Sequence, residues 1–170
     1  MTRDVLFNAL KGWTGKASAT VIYDSTVDEF TDQGLYNKVE GKANIALVGF
    51  TADGDVFGGF HNVAVTKQEE PVYDPDMFIF SFESHGRCET PRRFVVMEEE
   101  AYVEFFRDDP CGWFVNVGGG YGWFNLGNER SYTFCHNLSC DYVGIADTTL
   151  TGKTFPERFT CTRIVAIYLQ

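Results

Sequence analysis

Apolar positions at the start of the chain recur with helical spacing. Val5, Leu6, Ala9, Leu10 and Trp13 fall at i, i+1, i+4, i+5 and i+8, a single stripe along a helix. Gly15 lies just beyond, where a helix stop is expected. Thr20-Val21-Ile22-Tyr23 then predicts a short strand. From about Thr31 to Val39 the spacing of Phe30, Leu35 and Val39 predicts a second helix, closed by Gly41. Gly34 in its interior weakens that helix by about 1 kcal/mol.

After Gly41 the pattern turns to apolar runs. Asn44 to Phe50 and Val56 to Phe60 are nearly continuous, separated by Ala52-Asp53-Gly54-Asp55. Asp-Gly suits positive φ, so the two runs read as a hairpin. Ile45-Ala46-Leu47-Val48 is apolar on both faces, as a central buried strand would be. Further strands are predicted at Met77 to Phe82, Phe94 to Met97, Trp113 to Val117 and Trp123 to Leu126, with Phe159 to Leu169 closing the domain. Glu98 to Phe106 reads as a short helix with Ala101, Tyr102 and Phe105 turned inward. The loops are too short for repeated right-handed crossovers, which argues against a doubly wound parallel sheet. The expectation is a mainly β (α+β) fold: two antiparallel sheets packed as a β-sandwich, with two or three short flanking helices.

Composition strengthens the sheet reading. The 170 residues include 16 Phe, 8 Tyr and 3 Trp, side chains that favour pleated, half-buried surfaces. No linker, repeat or low-complexity tract interrupts the chain, so residues 1–170 read as one domain. The formal net charge is -10, and the basic residues are scattered. Arg92-Arg93 is the one basic pair, and Glu98-Glu99-Glu100 follows it closely. Such a field repels a phosphate backbone and argues against sequence-blind nucleic-acid binding. The opening residues lack a secretory pattern, and the longest apolar run, Ile45 to Phe50, is too short to span a bilayer. The expected location is therefore intracellular, cytoplasmic or nuclear, without membrane insertion. Cys88, Cys111, Cys135, Cys140 and Cys161 are irregularly spaced and read as reduced thiols. Without a secretory route, Asn137-Leu138-Ser139 is not read as a glycosylation site.

Candidate chemistry is sparse. No Gly-x-Ser-x-Gly elbow occurs, and the histidines are His61, His85 and His136. Cys135, His136 and Cys140 are suitable zinc ligands by type, yet they lack a Cys-x-x-Cys knuckle and a fourth ligand. Asp53-Gly54-Asp55 lacks the spacing of a calcium loop and reads as a hairpin turn; Asp74-Pro75-Asp76 is likewise a turn. Nothing among the 24 acids singles out a pair for glycoside cleavage. Gly118-Gly119-Gly120-Tyr121-Gly122 is the most distinctive local feature. A phosphate loop would lead into a helix, often with a Lys, whereas an aromatic strand follows here. The glycines read as a tight turn or a close backbone approach. The residues therefore point to a chain that is not an enzyme and needs no metal or other cofactor.

Taken in order, several segments resemble the TLDc domain family. They are Ile22-Tyr23-Asp24-Ser25, the hairpin Asp53 to Phe60 containing Val56-Phe57-Gly58, the strand Met77 to Phe82, Val117-Gly118-Gly119-Gly120 followed by Phe124-Asn125-Leu126, and the closing strand Phe159 to Leu169. The resemblance implies a two-sheet sandwich and a non-enzymatic interaction domain. It associates the chain with the oxidative-stress response and with regulation of the vacuolar proton pump, a subunit of which would be the protein partner. It carries Ser25, Phe57, Gly58, Gly118, Gly119 and Gly120 as partner-binding or family-motif candidates. Two stretches diverge from the family. Ile164 to Tyr168 holds no acid where the family's last strand carries a Glu, and Cys135 to Cys140 only loosely echoes the family's Gly-x-Ser-x-x-Cys.

Three other readings compete. Exposed Trp13, Trp113 or Trp123 would suit a carbohydrate-binding module. A local basic face would suit a stress-linked regulator of transcription. Exposed thiols of lowered pKa would suit a redox role.

Overall fold

The computed structural model describes residues 3–97 and 100–170. The apolar stripe at the start forms α1 (Arg3–Thr14), with Leu6 and Leu10 buried. Its Trp13 packs on Phe78 and Phe80, ring centroids 6.1 and 5.7 Å away. Gly15 ends the helix at φ +71°, its N–H donating to the Lys11 carbonyl. The second helix, α2 (Asp32–Val39), is capped by Thr31, whose hydroxyl accepts from the Gly34 N–H. Gly34, a weak point in propensity, is needed for space: a Cβ there would stand 2.3 Å from the Glu29 carbonyl oxygen.

In chain order the first strands are β1 (Ala19–Asp24), β2 (Ile45–Thr51), β3 (Val56–His61), β4 (Val72–Tyr73), β5 (Phe78–Glu83) and β6 (Arg92–Val95). There follow β7 (Tyr102–Phe105), β8 (Trp113–Gly118), β9 (Trp123–Gly127), β10 (Cys135–His136), the short helix α3 (Leu138–Asp141) and β11 (Cys161–Leu169). They form two sheets, ordered β1-β11-β2-β3-β5-β6 and β10-β9-β8-β7-β4. All neighbours pair antiparallel. The expected mainly β sandwich with three short helices is thus present.

The sheets bury an aromatic core between them. Phe57 lies edge-on to Phe124 and Phe159, at 5.1 and 5.3 Å. Gly49 and Gly59 make room for the opposite sheet, since a Cβ at either would stand 2.6 Å from Leu126 or Val117. The six-stranded sheet is covered on its other face too. Ala46, Val48, Phe60, Phe78, Phe80 and Ile167 pack with Leu6 and Leu10 of α1. This double cover is why β2 reads as apolar on both faces.

One predicted element is wrong. The stretch Glu98 to Phe106 is not a helix: Tyr102 to Phe105 is strand β7, while Glu98 and Glu99 lie outside the described residues. The alternation in β7 has period two, with Val103 and Phe105 in the core and Tyr102 and Glu104 half-buried. Strands β4 and β10 and helix α3 have no counterpart among the predicted elements. At two, two and four residues they are too short to show a period.

Candidate functional site

The glycine cluster builds a turn around a carboxylate. Between β8 and β9 the Gly119 N–H donates to the Gly122 carbonyl at 2.7 Å. Asp141, the last residue of α3, is buried and places Oδ2 inside the turn. That oxygen accepts from the Tyr121 N–H at 2.9 Å and from the Gly122 N–H. A Cβ on Gly119 would stand 2.5 Å from Asp141 Cγ, and one on Gly122 would stand 2.2 Å from the Asn137 carbonyl oxygen. The glycines are therefore fixed by close approach. The amides that a phosphate would use already hold an internal anion. Tyr121 is left at the tip, 69% exposed.

The other family-motif positions serve the frame. Ser25 bonds Ile164 twice, its N–H donating to the carbonyl and its Oγ accepting from the N–H, both at 3.0 Å. This ties the end of β1 to β11. Phe57 and Gly58 are buried in β3, and a Cβ on Gly58 would stand 1.8 Å from the Leu47 carbonyl oxygen. Gly118 and Gly119 are also buried, and Gly120 is exposed.

The outer face of the five-stranded sheet carries an aromatic band. Trp123, Phe134, His136 and Phe155 line a shallow hollow on it. Phe134 packs on Trp113, Tyr132 and Phe155 at 5.9, 5.7 and 5.1 Å, and Trp123 packs on His136 at 4.7 Å. Arg158 lies 4.5 Å over the Tyr132 ring. Asn125 on β9 anchors the strand edge, its Oδ1 accepting from the Phe134 N–H at 3.0 Å. Phe155 and Tyr132 are exposed, at 45% and 37%.

The tryptophans are half-buried. Trp13 joins α1 to the sheet, Trp113 donates its Nε1–H to the Tyr132 carbonyl at 2.7 Å, and Trp123 packs at a tilt against His136. Their rings are engaged with neighbours, an arrangement unlike an open platform for sugars.

Asp55 and Asp74 are committed to structure. Asp55 reads in the sequence only as a turn acid, yet it is 1% exposed and forms the centre of a polar knot. Its Oδ1 meets Arg87 Nη2 at 2.6 Å and His85 Nδ1 at 2.8 Å. Arg87 also donates to the carbonyls of Thr149 and Leu150, at 3.0 and 3.2 Å. Asp74 is buried in the same way, accepting from the backbone N–H groups of Asn62, Val63 and Asp76. His61 is sealed in the interior with Nδ1 on the Val63 carbonyl at 2.7 Å, and burial lowers its pKa. The three zinc-type residues diverge: Cys135 faces the core beside Thr151, His136 faces the aromatic band, and Cys140 is exposed. No group of three His, Cys, Asp or Glu side chains suited to a metal occurs among the described residues. No helix among them is long and apolar enough to cross a membrane.

Comparison with known proteins adds the family. No curated protein matches the chain. A model of the TLDc domain matches residues 3–143, from α1 through α3, including the hairpin and the glycine turn. Strand β11 lies beyond the match, yet it is an interior strand of the six-stranded sheet, paired between β1 and β2. With the match covering most of its length and the expected sandwich in place, the chain belongs to the TLDc domain family.

Proposed function

We propose that this chain is a non-enzymatic TLDc interaction domain that binds a protein partner through the aromatic band on the outer face of the five-stranded sheet. It serves in the oxidative-stress response or in regulation of the vacuolar proton pump, a pump subunit being the partner in the second case. The observation that carries the reading is the composition of the band. Tyr132, Phe155 and Arg158 are exposed around half-buried Trp113 and Trp123, and Trp, Tyr and Arg dominate the energetics of protein interfaces. The non-enzymatic part is supported by where the buried acids are spent. Asp55, Asp74 and Asp141 each hold neighbouring backbone or side chains in place.

Affinity purification with mass spectrometry tests this, using the wild type and a Phe155→Ala/Arg158→Ala variant. Pump subunits recovered by the wild type and lost by the variant support the pump role through this face. Their absence from the wild-type sample counts against that role. Unchanged peroxide sensitivity after loss of the gene counts against the stress role.

A further inference from the structure

A second hollow lies on the opposite side of the molecule, where α1 meets the outer face of the six-stranded sheet. Leu6 and Phe7 of α1, Phe50 of β2, and Val165 and Ile167 of β11 line it. Two arginines reach it as well. Arg3 lies 5.0 Å over the Phe7 ring and Arg163 lies 4.9 Å over the Phe50 ring. An apolar slot is thus flanked by two guanidinium groups, each held against an aromatic wall.

Charge decides the kind of ligand. Asp24 also lines the hollow, but Arg163 already binds it through Nε at 3.0 Å and Nη2 at 2.5 Å. That pairing lowers the Asp24 pKa to about 2, so the carboxylate stays ionised and engaged. Arg163 keeps Nη1 outside this bidentate pair. Arg3 makes no ion pair among the described residues. The lining residues Arg3, Arg163 and Asp24 therefore sum to one positive charge, on a chain whose net charge is -10. A negative head beside an apolar wall complements that arrangement, and a guanidinium fork matches a carboxylate in particular. The free volume, ≈ 180 Å³, is below the about 300–1,000 Å³ of pockets for drug-sized ligands, which limits the occupant to a small molecule.

We propose that this hollow is a binding site for a small amphiphilic carboxylate. Its apolar tail lies along Leu6, Val165 and Ile167, and its head is held by Arg3 with support from Arg163. The site is separate from the aromatic band and does not depend on the function proposed for that face.

Octanoate is the probe, with octanol as the uncharged control, each titrated into the ¹⁵N-labelled chain and followed by two-dimensional NMR. The expected result is saturable octanoate binding with shifts confined to α1, β1, β2 and β11, and octanol bound at least about tenfold more weakly. Loss of one charge-assisted contact in Arg3→Gln weakens octanoate about tenfold. Arg3 is exposed and outside any ion pair among the described residues, so this variant remains informative if Arg163→Gln, which breaks the Asp24 pair, fails to fold. The proposal is overturned by the absence of saturable octanoate binding, by equal binding of octanol, or by unchanged affinity in Arg3→Gln.

Discussion

Replacing Asp141 with alanine isolates what holds the glycine turn. The side chain is 8% exposed, and its Oδ2 accepts from the N–H groups of Tyr121 and Gly122. A hydrogen bond to a charged group contributes about 1.5–3 kcal/mol, and a buried donor left alone incurs its full desolvation cost. The two donors differ in their fate. Tyr121 stands at an exposed tip, so water reaches its N–H once the carboxylate is gone. Gly122 is buried against the Asn137 backbone, so its N–H is stranded. Summing a small loss at the first and a full loss at the second gives about 3 kcal/mol. Asp141→Asn keeps an acceptor without its charge and should lose about half as much. Urea denaturation measures both, with an unchanged slope showing that the unfolded state is the same. Hydrogen exchange at the Gly122 amide reports the turn itself and should accelerate in the alanine variant. A loss below about 1 kcal/mol in Asp141→Ala, or a Gly122 amide that exchanges no faster, would refute the claim that the carboxylate organises the turn.

Acid sensitivity should trace to His61. Burial lowers its pKa from the ordinary 6.5, so the folded chain keeps the ring neutral. Above that value neither state is protonated there; below it the unfolded chain takes up a proton that the folded one excludes. Stability therefore falls as pH drops below 6.5, by at most about 1.4 kcal/mol per pH unit from this group. The urea midpoint of His61→Phe should vary less with pH over that range, and a slope equal to wild type would contradict the assignment. The thiols give another test. Burial raises Cys135 to about 12 and Cys161 to about 11, which leaves almost no thiolate, whereas Cys111 and Cys140 are exposed. Mild peroxide on the native chain should spare the first two in a mass-spectrometric digest; oxidation of either would show that the core opens more readily than its packing implies.

Local chemistry made much of the fold legible. The Asp53-Gly54 turn carries its own instruction, and Gly54 has the expected positive φ of 89°. The stripe of α1 and the apolar runs of β2 and β3 are equally local. The elements that escaped are made by their neighbours. The two residues of β10 are a strand because Phe124 and Trp123 pair with them. The spacing of Ala101, Tyr102 and Phe105 suggested a helix with one face turned inward, while pairing with β8 holds Tyr102 to Phe105 extended. Sites were harder to read for the same reason. Asp55 becomes a buried hub through Arg87, 32 positions away, which in turn binds the Leu150 carbonyl 63 positions further on. The sequence marks Gly118 to Gly122 as a tight turn or a close backbone approach but does not say that Asp141 is what approaches. The aromatic band joins residues of β8, β9, β10 and the 155–158 segment, and no local pattern links them.

The position of β11 has a consequence for how the chain is made. β1 is an edge strand whose one neighbour is β11, and Asp24 meets Arg163 across 139 positions. At about 5–20 residues per second on the ribosome, β1 waits roughly seven to thirty seconds for its partner. Through that interval β2, apolar on both faces, also lacks its neighbour on that side. The growing polypeptide thus displays two adhesive strand edges until β11 slots between them. Slower emergence of β11 should therefore raise the share of newly made protein that aggregates.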